Sequence, residues 1–166
     1  MPDITVFGPG ARMVSYLGEI GGAIIREEKA RTFAAANVVR TEILKLLSGS
    51  RSGRTYRVPG TKRTYTASAP GEPPGGMHAD LRRSVKAMSE QGPDSTGALV
   101  GVTDKKGPWL EFGTGRAGAA KPQTDLPEGY VHGPSAGMAP RPYLRPALEN
   151  TRAKVRQILS SRMWFR

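Results

Sequence analysis

IIREEKARTFAAANVVRTEILKLL, residues 24 to 47, decides the fold. Ile25, Phe33, Ala36, Val39, Ile43, Leu46 and Leu47 recur along it at the offsets of one helical face. Arg26, Glu27, Lys29, Arg31, Arg40, Glu42 and Lys45 occupy the rest of the circumference, with Glu27 and Arg31 in the favourable i,i+4 order, so this side reads as a mixed, solvated face. The spacing predicts a long amphipathic helix ending at Ser48-Gly49. Upstream, Gly21 and Gly22 each cost about 1 kcal/mol against alanine in a helix interior. They leave open whether the helix begins before them or whether residues 13 to 20 form a separate turn behind a flexible stretch, 1 to 12.

Working outward, residues 48 to 64, SGSRSGRTYRVPGTKRT, carry no acidic residue and read as a mobile loop or an edge hairpin around Pro59-Gly60. A Pro/Gly segment, residues 67 to 77, follows. Its prolines have fixed φ and no amide donor, which excludes a helix interior or a central strand. Asp80 or His78 then starts a short helical turn containing Leu81, and Val85 to Met88 continue as a strand. ALVGVT, residues 98 to 103, is a second strand, expected to pair antiparallel with the first. Residues 108 to 113, PWLEFG, concentrate large apolar side chains expected to anchor to the core, and an irregular loop runs from 114 to 139. Pro146 suits a first helical turn, and Leu148, Val155, Ile158 and Leu159 share a face after it, so the chain closes with a second amphipathic helix. The expected fold is a single α+β domain over residues 1 to 166. It has two helices packed on a small, mainly antiparallel sheet, with extended Pro/Gly-rich arms.

Composition bounds the function. The 166 residues carry a net charge of +11, which favours a polyanion or an acidic protein surface as neighbour. Cysteine is absent, which removes disulfides, thiolate metal sites and cysteine nucleophiles together. No stretch approaches the ~20 apolar residues of a membrane span, and the N-terminus lacks the layout of a secretory signal, so a soluble compartment and no membrane partner are expected. Near the C-terminus, Arg141, Arg145, Arg152, Lys154, Arg156, Arg162 and Arg166 stand against Glu149 alone. Met163, Trp164 and Phe165 form an apolar tip read as interface.

Catalytic signatures fail on context. Gly113, Gly115 and Gly118 fit G-x-G-x-x-G, but Ala-Ala-Lys-Pro-Gln follows, where a dinucleotide site needs a helix N-terminus. His78 and His132 belong to no metal-ligand pair. No nucleophile elbow or Walker loop occurs. No catalytic residue, cofactor or metal is assigned. Glu111, between Leu110 and Phe112, reads as structural, pairing with an arginine of its own chain or of a neighbour.

Three motifs in order, ASAPGEPPGG with DLRRSV, then WLEFGTG, then MAPRPYLRP before a terminal helix, resemble the neck or tail-completion family of long-tailed double-stranded DNA phages. The resemblance covers roughly residues 20 to 160. It places the family's arm on Ser68, Pro70, Gly71, Pro73 and Pro74, and its turn on Leu81 and Ser84. The middle motif falls on Glu111, Phe112, Gly113 and Thr114, and the late motif on Pro140, Arg141, Pro142, Tyr143 and Pro146. One departure is Ala79-Asp80, where the family has Thr-Gly.

The resemblance implies a non-enzymatic virion protein forming a ring, six-fold by expectation, between the head connector and the tail tube, around the exiting DNA. It is made in the host cytoplasm. Ser68, Pro70, Gly71, Pro73, Pro74, Leu81, Trp109, Glu111, Phe112, Arg141 and Tyr143 are the expected subunit contacts, the arm projecting onto a neighbouring subunit. Arg51, Arg54, Arg57, Lys62, Arg63, Arg152 and Arg156 are expected to face the DNA channel or an acidic partner. The alternatives are a tail-terminator ring, a free basic nucleic-acid-binding protein, and a small hydrolase using Glu111 and a histidine.

Overall fold

The computed structural model describes residues 9 to 75, 80 to 92, 95 to 114 and 137 to 161. Its first element, α1, is one continuous helix, Pro9–Ser48. At 1.5 Å per residue it is about 60 Å long. It starts on a proline, whose missing N–H is one the first turn cannot pair anyway. The helix runs through Gly21-Gly22 without a break, and residues 9 to 12 belong to it rather than to a flexible lead. At its other end the Arg51 guanidinium donates to the carbonyl of Leu46, one of the last turn's orphan acceptors, and the Ser48 hydroxyl adds a bond to that of Leu44.

The next segment is an ordered hairpin: β1, Thr55–Arg57, pairs antiparallel with β2, Thr64–Thr66, with Tyr56 opposite Tyr65. Pro59 and Gly60 occupy the central positions of its turn, Gly60 at φ +74, and the Thr61 amide donates to the Val58 carbonyl. Proline then positive-φ glycine is the type II arrangement.

After the Pro/Gly segment comes α2, Asp80–Ser84, then a second antiparallel hairpin of β3, Val85–Gln91, and β4, Thr96–Val102. The turn-then-strand order and the pairing are those the sequence predicts. Alternation puts Val85 and Ala87 of β3 and Ala98, Val100 and Val102 of β4 on the face covered by α1. The segment expected to anchor to the core is a short helix, α3, Lys106–Phe112, with Leu110 against the core, and α4, Leu144–Ser160, packs along α1.

The core is small: Ile43 and Leu47 of α1, Val85 of β3, Tyr143, and Ala147 of α4, with Val39, Leu81, Val102, Leu110 and Leu144 partly buried around them. The predicted face of α1 is therefore right in its C-terminal half only. Ile25 and Phe33 are exposed because β3, β4 and α4 meet the later turns. On α4 the buried positions are Ala147 and Thr151, while Leu148 and Leu159 are about half exposed. The small side chains let the two helices approach, which turns the larger ones aside.

Candidate functional site

Residues 67 to 75 of the Pro/Gly segment do not project from the domain. Ala69-Pro70-Gly71-Glu72 forms a second type II turn, with Gly71 at φ +82 and the Glu72 amide donating to the Ala69 carbonyl. The Gly71 amide donates to the Pro140 carbonyl, and an Arg141 guanidinium nitrogen donates to the Ser68 carbonyl at 3.2 Å. Thus the arm motif docks on the late motif of its own chain. Ser68 and Pro74 are buried there, and Pro73 is half-buried, so these three are not free to meet a neighbour.

The base of the arm is clasped by Glu72. Its carboxylate accepts from the Ser52 hydroxyl, the Ala69 amide at 2.9 Å and the Ser52 amide at 3.1 Å. These donors, the Ser52 hydroxyl foremost, hold its acid below the ordinary 4.5. Arg51, expected to face DNA or an acidic partner, is spent inside the fold. Its side chain donates to the carbonyls of Leu46 and Pro74, tying the end of α1 to the arm.

Glu111 and Tyr143 are likewise internal. Glu111 is only 4% exposed and pairs with no arginine among the described residues; its carboxylate accepts from the amides of Tyr143, Leu144 and Arg145 at 2.8, 2.9 and 3.1 Å. Those are the orphan donors at the start of α4, and the next residue, Pro146, has no N–H to satisfy. A charged group supplied by α3 therefore does the capping that Tyr143, the N-cap residue, does not do with its own side chain.

Tyr143 is fully buried, and its phenol is raised above the ordinary range by burial first and then by Glu111 and Asp104. A Cβ at Gly107 would sit 3.1 Å from its hydroxyl, so the glycine makes room for the ring. Leu81 packs against the core. Phe112 is half-buried under the Arg145 guanidinium, 5.3 Å from the ring centroid. Of the expected subunit contacts, Pro70, Gly71 and Trp109 remain at the surface, Trp109 half exposed, whereas its segment was expected to anchor inward.

Two surfaces stand out among the described residues. The first is apolar: a groove of about 490 Å³ between α1, α4 and β4, lined by Ala36, Val39, Val100, Leu148, Val155 and Leu159. On the opposite side of the β3–β4 hairpin, Met88 and Leu99 face each other across the strands and are both more than half exposed. Among the described residues no third strand joins this hairpin. The second surface is basic. Arg54, Arg57, Lys62 and Arg63 are exposed on the β1–β2 hairpin, while Arg152 and Arg156 are exposed one turn apart on α4.

The apolar groove could not be read from the sequence, because its lining is assembled from three elements. The Met88 and Leu99 pair had a signal, alternation against Ala87, Ala98 and Val100. His78, His132, Gly115, Gly118, most of the 114 to 139 loop, Arg162 and the tip at Met163 to Phe165 lie outside the described residues. Among the described residues, no cluster of acidic or histidine side chains could hold a metal, and no helix is long and apolar enough to cross a membrane. No family model, curated protein or solved structure matches the chain.

Proposed function

We propose that this chain is a structural component of a phage neck, a ring of identical subunits, six by expectation, that joins the DNA-filled head connector to the tail. The observation that carries the reading is apolar surface left uncovered on a small core. Leu148 and Leu159 rim the groove, and Met88 and Leu99 form a pair on an unpartnered hairpin. Surface of this kind is typical of a chain that meets further copies of itself. The order of the three motifs supplies the neck setting, with the connector and the tail tube as further partners, and the virion as the place of use. The role needs no catalytic group or cofactor. A terminator ring capping the tail tube would present the same surfaces.

Mass measurement of the purified protein, together with the protein content of purified particles, tests this. A ring in solution and the chain in particles are the expected results. Particles lacking it should leave free tails beside leaking heads, whereas over-long tails would assign the terminator role. A strictly monomeric chain that is absent from particles would overturn the neck reading. The second reading, a free nucleic-acid-binding protein, is favoured by the basic hairpin and predicts that monomer.

A further inference from the structure

We infer that the β1–β2 hairpin is a phosphate-binding ribbon that lies against the backbone of duplex DNA. The inference rests on the neck reading for its setting alone and names the element that meets the genome. Of the seven basic residues expected to meet DNA or an acidic partner, the structure removes Arg51, which is consumed by backbone carbonyls. It gathers Arg54, Arg57, Lys62 and Arg63 onto one two-stranded element, all four exposed. None of them has an acidic partner among the described residues. The nearest carboxylate in the segment, Glu72, is spent on Ser52 and Ala69.

The ribbon is also built to hold its shape. Tyr56 and Tyr65 stack across the strands with ring centroids 5.5 Å apart, and the Arg54 guanidinium lies 5.6 Å from the centre of the Tyr56 ring. The Thr55 and Thr66 hydroxyls bond each other on the other face, and Arg57 Nε donates to the Thr61 carbonyl inside the turn. Beyond the strands, the Gly53 amide donates to the Ala67 carbonyl and the Ala67 amide to that of Arg54, fixing the hairpin to the arm.

Charge complementarity and the predominance of arginine select the partner. Planar guanidinium groups suit phosphate oxygens, and a ribbon with little apolar surface beyond its tyrosines offers a protein partner little area to bury. The tyrosines face each other, so they are not presented as separate platforms on which bases of a single strand would stack. The hairpin has no asparagine, glutamine or acid to pair with adenine or cytosine edges, and its cations and threonine hydroxyls all suit phosphate oxygens.

The experiment is fluorescence anisotropy of the full chain with a labelled 30-base-pair duplex of mixed sequence, over a salt series. The triple variant Arg57→Ala/Lys62→Ala/Arg63→Ala should lower the slope of log affinity on log salt by about 2 to 3 per bound protomer. Its affinity should fall at least about tenfold at low salt, with unchanged far-UV circular dichroism. Arg152→Ala/Arg156→Ala should change both less. Hydrogen exchange on the unmodified chain should slow over residues 54 to 66 when duplex is added, a readout independent of any variant's folding.

The inference is overturned by an unchanged slope in the triple variant, or by protection confined to other elements. It is also overturned by stronger competition from polyglutamate than from unlabelled duplex, which would mark an acidic protein surface, or by preference for single-stranded DNA lost in Tyr56→Ala. A ring found in particles that binds no duplex sinks this inference and leaves the neck reading. A duplex-binding monomer absent from particles does the reverse.

Discussion

Glu111 holds the start of α4 with one carboxylate shared among three backbone amides. Removing it leaves buried donors unpaired and takes the negative charge from the positive end of the helix. Glu111→Ala should therefore cost about 3 kcal/mol, the range for losing a charged cap in a buried setting, and Glu111→Gln, which keeps one acceptor oxygen, roughly half as much. Urea unfolding measures both; a loss below about 0.5 kcal/mol for the alanine variant would mean that other groups satisfy these amides.

The residue Glu111 caps behaves oppositely. The buried Tyr143 hydroxyl has no hydrogen-bond partner among the described residues, so Tyr143→Phe removes a desolvation cost and should be neutral or stabilising by about 1 kcal/mol. The sign with pH follows from its raised phenol: the folded state keeps the proton longer, so its stabilisation is complete below the ordinary 10.0 and is lost as pH rises above it. Unfolding followed from pH 9 to 11 should show the unmodified chain weakening more steeply than Tyr143→Phe. Equal slopes would refute the assignment.

Among the elements, those with local signals were legible. The α1 period, the Pro-Gly turns, the order of α2 and β3, and the β3–β4 pairing all follow from residues close in sequence. Contacts across long separations were not legible. Glu111 reads as a partner for arginine until the chain brings it to amides 32 to 34 residues away. The arm reads as projecting until Gly71 meets Pro140. The glycines of α1 misled differently, since local propensity suggested a possible break where the helix continues. Nothing among the described residues approaches within 4 Å of a Cβ built at Gly21. Gly21→Ala should thus stabilise the helix by about 1 kcal/mol, read as a higher melting temperature by circular dichroism. A destabilised variant would mean that something packs closely at this position.

At the scale of the whole molecule, the arrangement separates two tasks. The arm, α3 and the start of α4 knit the chain to itself through carbonyls, amides and the carboxylates of Glu72 and Glu111, which buries Ser68 and Pro74 and leaves only Pro70 and Gly71 of the arm's expected contacts at the surface. In the ring proposed above, assembly would fall to the apolar groove and the Met88 and Leu99 face. Leu148 and Leu159 are 54% and 48% exposed, so Leu148→Glu/Leu159→Glu asks little of the isolated subunit, and its unfolding midpoint at low concentration should stay close to that of the unmodified chain. In a ring the same two carboxylates would be desolvated against a neighbour's apolar side chains without a partner, a cost of several kcal/mol per interface. Sedimentation across a concentration series should therefore find the unmodified chain as an oligomer and the double variant as a folded monomer. If both sediment alike as oligomers, subunits meet elsewhere and the groove has another occupant; if both are monomers, the apolar surface does not serve self-assembly.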